Sequence, residues 1–222
     1  MNFRINTYFC GMSVTIQILS QHFLLHPSRF IFWQEQKMLF IADVHLGKIA
    51  HFRKHGAAVP AHAAYQNLEA LTEIVNELNP DTICFLGDLF HSNLNNEWND
   101  FKKWVAYINT EIILIEGNHD IIPPKYYTEI GVPVLDNLQI GSFLLTHHPT
   151  ESTDFFNFCG HVHPGIMVRG VGGQTFRLPC FFKTNSRMIL PAFGNFTGKH
   201  IIKPTRTDEV FAVVEGKVIS IK

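Results

Sequence analysis

The sequence predicts an α/β protein whose second half is rich in sheet. Apolar runs of strand length alternate with amphipathic helical spacing through the first half, and beyond residue 130 the helical spacing stops while short strand patterns continue. The chain has 222 residues, of which 46% are apolar and 17% charged, so a sizeable core can be buried and wholesale disorder is excluded. No internal repeat, low-complexity tract or long polar linker divides it, and a single domain over residues 1–222 is expected.

The first strand run, 38–42, ends at Asp43-Val44-His45. A helix is expected over 60–78, where a proline suits the start and Leu68, Leu71, Ile74, Val75 and Leu78 share a face. The next strand, 82–86, ends at Gly87-Asp88, and a second helix over 96–108 repeats the spacing with Trp98, Phe101, Val105 and Ile108. A third strand, 112–115, precedes Gly117-Asn118-His119-Asp120, which completes β-α-β-α-β. Strand 143–146 then ends at His147-His148, and 155–159 at Gly160-His161-Val162-His163. Further strands are expected at 175–182, 187–190, 210–215 and 218–221, and this sheet-rich half should pack against the first.

Composition excludes several classes of function. With 18 basic and 19 acidic residues the chain is no polycation, so a polyanion would have to meet a local patch. Cys10, Cys84, Cys159 and Cys180 are far apart and form no C-x-x-C pair, which reads as reduced core thiols in a cytoplasmic protein. No apolar stretch is long enough for a membrane helix, and neither a signal peptide nor a membrane partner is expected. Met12 follows a weakly patterned segment, so residues 1–11 are read as a dispensable extension, with Met1 and Met12 both open as the start.

The 13 histidines are the informative count, because imidazole binds metals and transfers protons near neutral pH. In α/β sheets ligands gather outside the carboxyl ends of strands, and here five strand ends carry Asp, Asn and His. Asp43 and His45, two apart at an extended strand end, would point the same way and share a cation, and His161 and His163 repeat the device. Asp88 has two oxygens with which to bridge two cations, Asn118 offers an amide oxygen and His147 another imidazole. Mixed oxygen and nitrogen donors without thiolate suit manganese, with iron or zinc as alternatives. D-x-H and G-D alone are ordinary turns and G-N-H-D is turn-like, whereas G-H-x-H is the most specific fragment because two histidines on one face after a buried strand have little packing rationale; the order of all of them, each directly after an apolar run, is what turns do not supply.

Those five blocks resemble the ordered signature of the calcineurin-like metallophosphoesterases: D-x-H, G-D, G-N-H-[DE], H and G-H-x-H. The resemblance implies two packed β-sheets flanked by helices, a four-layer αββα arrangement, and two divalent metal ions. It places Asp43, His45, Asp88 and His163 on one ion and Asp88, Asn118, His147 and His161 on the other, with His119 as a catalytic residue that binds neither. His147 is preferred to His148 because it directly ends its strand, although a slip of one residue would exchange them. Where many members read G-D-x-x-D this chain has Gly87-Asp88-Leu89-Phe90-His91, a departure shared with the branch related to SbcD nucleases, so His91 is expected to face substrate. The strings at 42–48, 52–53, 178–181 and 190–198 are similar to the PdeM-type ligase-associated DNA damage response endonucleases of bacteria. That likeness implies DNA repair alongside a DNA ligase, a helicase and an exonuclease.

Ester hydrolysis is the natural chemistry of such a centre. His119 would act as general acid on the departing oxygen, with Asp120 holding its ring. Lys48, His51, Arg53, Lys54 and His55, with Arg169 and Arg177, are candidates for holding flanking DNA phosphates, against the plainer reading of a solvated helix face. Tyr126, Tyr127, Phe193 and Phe196 could stack on bases, but core packing is the favoured reading. A DNA phosphodiesterase therefore leads, ahead of a phosphomonoesterase or nucleotide hydrolase with the same ligands and a non-catalytic metal-stabilised repair scaffold.

Overall fold

The computed structural model describes residues 13–48, 66–91, 94, 96–170, 172–194 and 197–221. Its first sheet runs in chain order: β1 (Val14–Ile18), β2 (Gln21–Leu25), β3 (Ile31–Trp33), β4 (Met38–Ile41), β5 (Thr82–Leu86), β6 (Glu111–Ile115) and β7 (Val134–Leu135). The strands up to β4 form an antiparallel meander; from β4 to β7 the pairing is parallel. Parallel neighbours need crossovers, and helices α1 (Gln66–Leu78), α2 (Asn96–Tyr107) and α3 (Pro124–Thr128) lie in those connections.

The second sheet holds β8 (Asn137–Ile140), β9 (Phe143–Thr146), β10 (Phe156–Cys159), β11 (Pro164–Arg169), β12 (Thr175–Lys183), β13 (Arg187–Ile189), β14 (His200–Ile201), β15 (Glu209–Val214) and β16 (Lys217–Ile221). Its order is β14-β11-β12-β13-β10-β9-β8, with β15 also pairing β12 and carrying β16. Here β10 runs parallel to both β9 and β13.

Two-residue alternation decides what each central strand touches. In β4, β5 and β6, the residues Leu39, Ile41, Ile83, Phe85, Ile112 and Leu114 meet Leu68, Leu71, Ile74 and Val75 of α1 and Trp98, Phe101 and Trp104 of α2. Their neighbours Phe40, Cys84, Leu86 and Ile115 turn the other way, onto Phe143, Leu145, Phe156, Phe158, Phe181 and Phe211 of the second sheet. Burial on both faces is why these strands read as unbroken apolar runs. Between the sheets the Phe23 ring lies 4.8 Å from that of Phe158 and 5.3 Å from that of Phe143. Each fully buried phenylalanine stabilises the fold by roughly 1.5–3 kcal/mol.

All three described helices feed the core on the outer face of the first sheet. The outer face of the second sheet carries a small cluster of Ile166, Cys180, Val210 and Ala212, with Leu178 and Phe182 beside it. The layering among the described residues is therefore α-β-β, and the second helical layer of an αββα arrangement is not among them. No described helix is long and apolar enough to cross a membrane. The extension at residues 1–11 and the start of the helix expected over 60–78 lie outside the described residues.

Candidate metal centre

Because β4, β5 and β6 are parallel, the loops that follow them leave the same edge of the first sheet; the loops after the parallel pair β9 and β10 leave one edge of the second. Hydrogen bonds join the two sets. Asp43 N–H donates to Gly87 O (3.1 Å), His45 N–H to Asp88 O (2.9 Å) and Gly160 N–H to His147 O (3.1 Å). The His161 N–H then reaches across to the Asp43 carboxylate, 3.0 Å from Oδ2.

The two D-x-H and H-x-H pairs are not on extended strand, as their spacing suggested. Asp43 (φ 56°), His45 (φ 53°), Asp88 (φ 53°), His161 (φ 66°) and His163 (φ 51°) all adopt the left-handed conformation. Each such residue costs on the order of 1–3 kcal/mol and persists only where its surroundings hold it, which the loop hydrogen bonds do here. Their side chains converge all the same. The His163 Nε2 is 3.2 Å from Asp43 Oδ1 and 3.5 Å from His45 Nε2. The Asp88 carboxylate stands between two imidazoles, Oδ2 3.9 Å from His45 Nε2 and Oδ1 3.4 Å from His147 Nε2. His147 Nε2 lies 2.9 Å from Asn118 Oδ1 and 3.2 Å from His161 Nδ1.

The chemistry of this donor set fits cations. His147 Nδ1 is 2.9 Å from the Leu86 carbonyl, which only accepts, so Nδ1 carries a hydrogen and Nε2 is the ring atom turned into the centre. Nε2 faces the acceptor oxygens of Asn118 and Asp88 at close range. Two oxygen acceptors and a ring nitrogen converging on one point need a positive charge among them, and a metal ion in place of a proton on Nε2 supplies it. Burial drives the His45 pKa down to about 2, with Lys48, His163, His91 and His119 adding to the effect, so His45 is a neutral imidazole. His161 is lowered too, by burial first and then by His148 and His147. The groupings Asp43–His45–His163, Asp43–Asp88–His147 and His147–His148–His161 each bring three ligand atoms within 4.8 Å of one another. His147 is buried beside Asp88 and Asn118, whereas His148 is exposed, with its ring 4.1 Å from that of His161.

The glycines of the signature make room for these ligands. At Gly87 (φ 80°) a Cβ would collide with the His147 ring. A Cβ on Gly160 would stand 2.6 Å from Asp43 Oδ2 and 2.7 Å from the Ala42 Cβ, deep in the core. Gly160→Ala is therefore expected to displace the Asp43 carboxylate. Titration with manganese should show weakened metal affinity by about tenfold or more, and the melting temperature should fall. Wild-type affinity would mean that Asp43 is not a ligand.

Asp120 differs from its expected role. Its Oδ2 accepts from the N–H of Asp88 (2.8 Å) and of Gly117 (2.9 Å), and Oδ1 from Phe90 N–H (3.0 Å), so its described partners are backbone amides rather than the His119 ring. Burial raises its pKa to about 6, with the Asp88 charge adding and those three N–H groups opposing. It holds the Asp88 loop in place. His119 is exposed; its backbone N–H donates to Asp88 Oδ1 (2.9 Å), and its ring lies 4.9 Å from that of His91 and 5.7 Å from that of His45.

Among the other sequence candidates, His91 and Lys48 border the centre. The carboxylates of Asp88 and Asp43 act on Lys48, whose pKa burial nevertheless lowers. Arg53 and Lys54 lie outside the described residues, as do His51, His55 and Phe196. Arg169 and Arg177 sit on the β11–β12 hairpin, which starts directly after His163. At about 3.3 Å per residue Arg169 is about 20 Å of strand from His163, so the two arginines stand out along an arm rather than at the candidate metal centre. Tyr127 and Phe193 are core residues, while Cys84, Cys159 and Cys180 are buried with thiol pKa values raised by burial.

Two positioning residues escaped the sequence reading. Asn67 Nδ2–H on α1 donates to Val44 O (3.1 Å), and the buried Glu97 carboxylate on α2 accepts from Gly47 N–H. Each is a polar residue on an apolar helical stripe, four before Leu71 and Phe101 respectively, and that was the available signal.

The sequence profile of calcineurin-like phosphoesterases matches residues 36–180, the span that holds all of these ligands. The chain belongs to the calcineurin-like phosphoesterase family. It is a hydrolase of phosphoric esters, and its Asp and His groups are those of a metal-dependent member. Among solved structures the phosphoesterase is similar to Pseudomonas putida nuclease MPE: 26% identity, TM-score 0.78, over 94% of this chain and 100% of that one. Weaker likenesses are to Yfce, a phosphoesterase from E. coli (12% identity, TM-score 0.43, 83% of this chain and 97% of that one), and to AQ665 from Aquifex aeolicus (20%, 0.42, 57% and 78%). No match is found among the curated proteins.

Proposed function

We propose that this phosphoesterase is a phosphodiesterase that cleaves DNA using two divalent cations, manganese being the best fit to its donors ahead of iron or zinc. The observation that carries the reading is the Asp88 carboxylate, which faces His45 with one oxygen and His147 with the other. Asp43, His45, Asp88 and His163 would hold one cation, and Asp88, Asn118, His147 and His161 the second. Two cations so held supply a water nucleophile of lowered pKa and neutralise charge on the phosphoryl group. His119, exposed at the rim and tethered through its backbone to Asp88, would give a proton to the departing oxygen, with His91 beside it facing substrate. Likeness to a nuclease over the whole length of that relative supports a nucleic acid as the substrate. A repair role in the cytoplasm, with a DNA ligase, a helicase and an exonuclease as working partners, is the context this reading adopts.

Assays with manganese on bis-p-nitrophenyl phosphate, p-nitrophenyl phosphate and DNA test it. DNA and the small diester should be cleaved with kcat/KM above that of the monoester, and chelation should abolish all three activities. A preference for the monoester would instead make the protein a phosphatase on the same ligands.

A further inference from the structure

Three imidazoles rather than two meet on the His147 side of the centre. The His147 ring lies 4.8 Å from that of His148 and 4.9 Å from that of His161, and the rings of His148 and His161 are 4.1 Å apart. One ring nitrogen from each falls within 4.8 Å of the others. Nitrogens bound to one cation at about 2.1 Å are at most about 4.2 Å apart, so these three are near the spacing that a shared ion imposes. His147 and His161 already meet it, with Nε2 3.2 Å from Nδ1. His148 is exposed, and its ring is free to turn through what remains.

The backbone that carries His148 is held from beneath. Its carbonyl accepts from two hydroxyls, Thr146 Oγ at 2.6 Å and Thr150 Oγ at 3.2 Å. Asn157 of β10, fully buried, ties both threonines. Its Nδ2–H group donates to Thr146 Oγ (2.9 Å) and to Leu144 O (2.9 Å), while its Oδ1 accepts the Thr150 N–H (3.0 Å). A buried amide and two hydroxyls thus fix the origin of an exposed imidazole beside His161, and outer hydrogen bonds of this kind are how proteins aim metal ligands.

We propose that His148 is a further ligand of the second cation, which then takes three imidazoles beside the oxygens of Asp88 and Asn118, against two imidazoles and two carboxylates at the first. The proposal rests on the two-cation reading above and deepens it. Its consequence is selectivity. Imidazole suits zinc, iron, nickel and copper, whereas carboxylate and carbonyl oxygens suit manganese. A third nitrogen therefore raises the preference of the second position for zinc over manganese, and an exposed ring supplies it without any change in the core.

The test uses His148→Ala and His148→Phe, the second of which keeps a ring but no nitrogen. Because the position is exposed, the melting temperature of the metal-free full chain should match the wild type in both. Zinc and manganese are then titrated in separately and followed by calorimetry. The first equivalent should bind as in the wild type, while the second zinc should bind about tenfold or more weakly, with a smaller loss for manganese. In the cobalt-loaded protein each bound imidazole gives its own set of paramagnetically shifted ring proton resonances, and both variants should lose one set. Wild-type affinity for the second zinc, or a full set of shifted resonances, in either variant would overturn the ligand. A raised KM for DNA with unchanged metal binding would make His148 a substrate contact and overturn it equally. The wild type judges the underlying reading separately: uptake of a single ion would overturn the two-cation centre and His148 with it, whereas uptake of two ions without cleavage of any diester would overturn the diesterase alone.

Discussion

Asp88→Asn is expected to empty both cation positions together and to lower kcat/KM for every phosphodiester by more than about a hundredfold, the upper range for groups that only support a ligand. Asp88 is 2% exposed and faces His45 on one side and His147 on the other. Replacing one oxygen by an amide nitrogen removes the negative charge and puts N–H donors where a cation would be, so neither side keeps its shared ligand. The fold itself should survive, because the amide has the shape of the carboxylate and keeps an oxygen to accept the His119 N–H. Two measurements check this. Elemental analysis should find both ions depleted rather than one, and manganese should no longer raise the melting temperature, whereas a ligand at about one hundred times its Kd stabilises the native state by about 2.7 kcal/mol. A variant that keeps two ions and full activity would remove Asp88 from the bridge.

The edge at which this carboxylate sits was legible because buried parallel strands announce themselves. The runs ending at Ile41, Leu86 and Ile115 are apolar on both faces, and the polar residues directly after them had nowhere else to be. The opening meander was not legible: β3 has three residues and β2 mixes Gln21 and His22 with its apolar positions, so neither carries enough periodicity to declare itself. Nor did the sequence show how the ligands are aimed. A spacing of two suits an extended strand, but Asp43 and His45 reach their common point through left-handed backbone that only the loops around them impose. Long-range hydrogen bonds of this kind also decided against Asp120 as the partner of His119. Sequence adjacency suggested a carboxylate–imidazole pair, whereas the carboxylate folds back onto the amides of Asp88, Phe90 and Gly117.

His119→Ala is expected to separate chemistry from metal binding. The contact that ties this residue to Asp88 is its backbone N–H, which alanine keeps, so both ions should remain. What is lost is an exposed imidazole beside His91 at the rim of the centre. General acid catalysis is worth about 10²–10⁴-fold where the leaving oxygen needs a proton, as the alkoxide of a DNA strand does. A nitrophenolate departs without one. Cleavage of DNA should therefore fall by about that factor while cleavage of bis-p-nitrophenyl phosphate falls far less. Equal losses on the two substrates would make His119 a binding residue, and loss of metal would make it a ligand; either result would move the proton donor elsewhere, with His91, whose ring lies 4.9 Å away, as the next group to replace.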